Sequence, residues 1–107
     1  MFIGGKRRLL RQALLFWASL MLAGCVSIEA LAPPVTPALT ARAHADASTL
    51  ATGRRIYLTQ CTSCHAPESV QAHSGQWPRI VREMAPKSKL NPAQEQAVLA
   101  YVLAASR

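Results

Sequence analysis

Apolar side chains recur at helical spacing in three stretches of residues 48–107. Leu50, Gly53 and Tyr57 fall three and four apart, with Cys61 one turn further on. Behind Ser48 or Thr49 as caps, they predict a first helix. Trp77, Ile80, Val81 and Met84 stand at i, i+3, i+4 and i+7, forming one wholly apolar face of a short second helix with proline in its first turn. The third start is the clearest. Asn91-Pro92-Ala93-Gln94 supplies an N-cap, a proline at the first helical position and a capping-box glutamine, and the stripe continues through Ala97, Val98, Tyr101, Val102 and Ala105. Ala97, Ala100 and Ala104 leave a flat flank on that helix, and Gly53 is either its close-packing counterpart or merely a tolerated glycine. No strand pattern intervenes, so the expected class is all-α, with about three helices.

The first half of the chain follows other rules. Lys6, Arg7, Arg8 and Arg11 precede an apolar run of eleven residues, Ala13 to Ala23, and then Gly24 and Cys25. This order predicts an export signal. Eleven helical residues rise about 16 Å, roughly half the hydrocarbon core of a bilayer, so a spanning helix is the weaker reading. Leu22-Ala23-Gly24-Cys25 resembles the lipobox of bacterial lipoproteins. That resemblance implies cleavage before Cys25 and lipid on its sulfur and amine, and Val26 in the next position makes the outer membrane the default destination. From Val26 to Ala47 the composition shifts to alanine with Pro33, Pro34 and Pro37, and no periodicity survives. The expectation is a disordered tether whose 22 residues span on the order of 25 Å. Three segments follow: 1–24 a removed signal peptide, 25–47 a lipidated tether, and 48–107 the folded domain.

Cleavage changes the charge picture. The whole chain carries +7, but residues 25–107 keep eight basic side chains against five acids, or +3. Much of the basicity belongs to targeting, and a nucleic-acid partner is excluded as the reading. Sixty residues bury only about 60% of their unfolded surface, so a domain of this size calls for a disulfide, a metal or a cofactor.

Cys61-Thr62-Ser63-Cys64-His65 offers the chemistry. Structural zinc needs four ligands, and no cysteine follows Cys64; His65 and His73 complete a set only in a strained arrangement. A redox dithiol needs a βαβ frame that no strand here provides. A plain Cys61–Cys64 disulfide leaves His65 without a role. Covalent haem uses every residue: two thiols add across the two vinyl groups, and the adjacent histidine becomes an axial ligand of the iron. Met84 is the one thioether outside the signal, 19 residues past His65, and is the candidate sixth ligand. His73 and His44 are its rivals.

Gly53, Tyr57, the Cys61–His65 motif, the Trp77-x-x-x-Val81-x-x-Met84 segment, Leu90 to Gln94 and Tyr101-Val102 resemble the small class I cytochrome c domains, over roughly residues 48–107. Similar domains occur in the haem subunits of periplasmic dehydrogenases. The resemblance implies one haem c on Cys61 and Cys64, with His65 as proximal and Met84 as distal iron ligand. It also implies Trp77 as a haem-packing residue, and first and last helices packed around Gly53, Tyr57 and Tyr101. It further implies a periplasmic, lipid-anchored electron carrier, not an enzyme, exchanging single electrons with a dehydrogenase, other cytochromes or an oxidase. Two rival functions stand beside it: a subunit that docks one specific dehydrogenase, and a ligand-binding or peroxidase-like haem domain with an open sixth position. Arg79, Arg82, Lys87 and Lys89 flank Met84, either as a steering rim for acidic partners or as a solvated face.

Overall fold

The structure, a computed structural model, describes residues 7–15, 27–64 and 66–107. The end of the expected signal, Cys25, Val26 and His65 lie outside the described residues. Among the described residues the chain is helical with no strand, as the periodicity predicts. Residues 7–15 form α1, with exposed side chains. Then come α2 (Ile28–Leu31), α3 (Pro37–Arg42), α4 (Ala47–Thr59), a 3-10 turn (Val70–His73), α5 (Trp77–Lys87) and α6 (Pro92–Ala105). No described helix is long and apolar enough to cross a membrane.

The last helix begins as its sequence dictates. Asn91 accepts the Gln94 amide at 2.8 Å while the Gln94 side chain accepts the Asn91 amide at 2.9 Å, so two orphan donors are satisfied reciprocally. The first predicted helix starts earlier than expected. Its cap is Asp46, not Ser48 or Thr49, and its carboxylate accepts the Thr49 amide at 2.7 Å. That backbone bond is the main reason the Asp46 pKa falls below the ordinary carboxylate value.

α4 and α6 form the centre of the domain, and α5 packs across α6. Leu50, Ile56, Val98, Tyr101 and Val102 are fully buried between them. Gly53 settles one of the open alternatives: a Cβ there would meet the Ala97 carbonyl carbon at 2.6 Å and Tyr101 Cβ at 2.9 Å, and would run into the Ala97 oxygen. The two backbones touch, so glycine is required by packing.

The expected disordered tether is corrected. From Ser27 on, the segment is a strap folded onto the helices, with Ser27 capping α2 and Thr36 capping α3. Ala32 and Leu39 are fully buried in the common core. Backbone carbonyls fix the path: Arg54 donates to Ala32 and Pro33, Tyr101 Oη donates to Pro33 at 2.7 Å, and Arg42 Nε donates to Ala104 at 3.1 Å. The prolines that suggested a loose chain instead pre-order an irregular one, whose carbonyls face the side chains of Arg54 and Tyr101, 21 and 68 positions beyond Pro33. The folded body therefore begins well before residue 48.

Tyr101→Phe tests the strap. Removing the hydroxyl costs about 1 kcal/mol, because Pro33 keeps only the longer bond from Arg54, at 3.2 Å and shared with Ala32. Urea unfolding measures it. An unchanged midpoint would return residues 27–45 to the status of a tether.

Candidate functional site

The end of α4, the loop after it, α5 and the first half of α6 enclose a cavity of about 410 Å³ with mainly apolar walls. Tyr57 reaches it from α4 and Cys61 from the turn that follows α4. Trp77, Ile80, Val81 and Met84 reach it from α5, the same four residues whose spacing marked one face. Leu90 and Val98 close the floor, while Thr62, Glu68 and His73 supply the polar positions.

An aromatic group forms the firmest wall. Trp77 is buried, and its indole nitrogen donates to the Val70 carbonyl at 2.8 Å. Tyr57 meets it edge to face at 5.7 Å between centroids, and His73 does the same at 5.6 Å. Tyr57 Oη donates to the Glu68 carbonyl, and the Glu68 carboxylate pairs with His73 Nε2. The 3-10 turn is held from its other side by Gln71, which donates to the Ala105 carbonyl at 2.8 Å.

His73 ends the 3-10 turn, half-buried against Trp77 on the cavity wall. Its pairing with Glu68, five residues away across an irregular loop, leaves no periodic signal in sequence. His44 is exposed and is not among the residues lining the cavity.

Cys61 is half-buried on the wall and Cys64 is exposed on the turn beyond it; both are free thiols, with no disulfide between them. Burial pushes the Cys61 thiol above its ordinary pKa, opposed by a hydrogen bond with Ser88. Cys61 also follows the C-terminus of α4, where the helix dipole disfavours a thiolate. Both features are opposite to those of an activated redox cysteine. Among the described residues no three His, Cys, Asp or Glu side chains gather as a metal set. Of the basic residues near Met84, Arg79 is engaged by Glu83 at 3.3 Å.

Burial lifts the hydroxyls of Tyr57 and Tyr101 to about 12; the Glu68 charge adds to this at Tyr57, and Arg54 opposes it at Tyr101. Unfolded tyrosines release their protons near pH 10, so between pH 10 and about 12 the unfolded state binds fewer protons than the folded one. Stability is full below that window and falls as pH rises through it. Urea midpoints across the window should drop steeply, and Tyr57→Phe should flatten the drop. A flat wild-type profile would mean that neither hydroxyl is shielded.

No family model, curated protein or solved structure matches this chain.

Proposed function

We propose that the cavity holds one haem c, attached through Cys61 and Cys64 and ligated by His65 and Met84, and that the protein is a lipid-anchored periplasmic electron carrier rather than an enzyme. The observation that carries this reading is the meeting of two sequence features at one cavity. The Cys-x-x-Cys-His stretch begins on its lining at Cys61, beyond α4, and the lone thioether outside the signal, Met84, lines the same cavity from α5.

The residues fit the group. The cavity lies within the roughly 300–1,000 Å³ of cofactor pockets, its lining is mainly apolar, and Trp77, tied to Val70, offers a fixed flat ring. Both thiols are free for thioether bonds. Haem bound there supplies one-electron exchange at its edge. The chain supplies the rest. Cys61 and Cys64 would hold the group, His65 and Met84 would ligate its iron, and the apolar walls would exclude water, with methionine ligation favouring a raised potential. Arg82, Lys87 and Lys89 are exposed near Met84 and give acidic redox partners a cationic approach. Lipid on Cys25 keeps the carrier at the membrane.

Carbon monoxide added to the reduced native protein tests the closed coordination. The expected result is no rapid binding. Fast, tight binding would overturn the carrier and favour the ligand-binding haem domain.

A further inference from the structure

The strap leaves the body little freedom from its anchor. The described chain resumes at Ser27, two residues past Cys25, a span of at most about 7 Å. Five residues later Ala32 is fully buried, with its carbonyl held by Arg54 at 3.1 Å. The part of α4 that Arg54 ties to Ala32 therefore lies close to a point within about 25 Å of the anchor even when the intervening residues are fully extended. This inference rests on the lipidation of Cys25 proposed above, and not on the haem.

The same part of α4 carries a groove of about 340 Å³, walled by Val35 of the strap and by Ala51, Arg55 and Leu58 of α4, which stand at i, i+4 and i+7. Ile28 of α2, outside the groove lining, is 54% exposed. α4 holds Arg54 and Arg55 and no acid; Glu29 is the one acid of the two helices. Arg55 is exposed at the rim. An apolar groove with a cationic rim, on a short leash from a lipid anchor, is complementary to a bilayer surface with anionic headgroups, where arginine meets phosphate and its stem lies along apolar surface.

We propose that the edge formed by Val35 of the strap and α4 docks on the anionic headgroups of the membrane to which Cys25 is anchored, and so fixes the orientation of the cavity. Tyr57 lines the cavity from a different face of α4, about a quarter turn from Leu58. Seating the groove on lipid turns the cavity sideways to the membrane, open to partners that approach along it.

The experiment uses the mature acylated protein in nanodiscs of phosphatidylglycerol and phosphatidylcholine in equal parts, doped with a paramagnetic headgroup lipid, and reads methyl NMR intensities. Val35 and Leu58 should lose several-fold more intensity than Ile80 beside the cavity. That excess should disappear in Arg55→Glu and in discs of phosphatidylcholine alone, where the leash is unchanged. Equal broadening of Leu58 and Ile80, or an excess that persists in Arg55→Glu, would overturn the docking while leaving the anchor intact. A mature chain whose mass shows no acyl groups would overturn the lipidation, and the docking with it.

Discussion

Gly53→Ala should destabilise the protein by about 2 kcal/mol or more, although alanine is the better helix former by about 1 kcal/mol. The added methyl would lie 2.6 Å from the Ala97 carbonyl carbon, against backbone that no rotamer change can move. α4 and α6 would have to separate, and that separation would loosen Tyr101 and Val98 at the centre of the core. For a domain of this size the expected fall in Tm is on the order of 10 °C. Thermal unfolding of the two proteins measures it. A variant as stable as the parent, or more so, would mean that the helices are not in backbone contact.

Met84→Ala should have the largest effect on function. Haem should still be retained through Cys61 and Cys64, since neither thiol depends on Met84. The far-red absorption band of methionine on ferric iron should vanish, and carbon monoxide should bind the reduced form quickly. The reduction potential should fall by on the order of 100 mV, a fraction of the roughly 0.8 V that axial ligands span. His73→Ala separates the two candidates on the cavity wall: it should keep the band, because His73 Nε2 is committed to Glu68. If instead Met84→Ala kept the native spectrum and His73→Ala lost it, the distal ligand would be His73.

The helices were legible because their signals are local. The capping box at Asn91 and Gln94 and the Trp77-to-Met84 face need no knowledge of the fold, and both appear where the spacing put them. Gly53 was half legible: the alanines opposite hinted at close approach, but only the packed pair shows that a Cβ cannot fit. The strap was misread for a physical reason. Its stability comes from Arg54, Tyr101 and Arg42 reaching backbone carbonyls across the domain, and a bond from side chain to distant backbone leaves no periodicity to detect. The same holds for Glu68 and Val70, which orient Tyr57, His73 and Trp77 through contacts within an irregular loop. Residue type nominated the candidate groups, while their supports depended on the fold.

The most direct measurement is the mass and absorption spectrum of the full chain, exported in cells with haem-attachment machinery and purified under denaturing conditions that strip non-covalent ligands. A mature chain heavier by one haem, red in colour, and returned to the apo mass by replacing both Cys61 and Cys64 with serine, is the predicted result. A colourless chain at the apo mass, with Cys61 and Cys64 as free thiols or joined in a disulfide, would contradict the account.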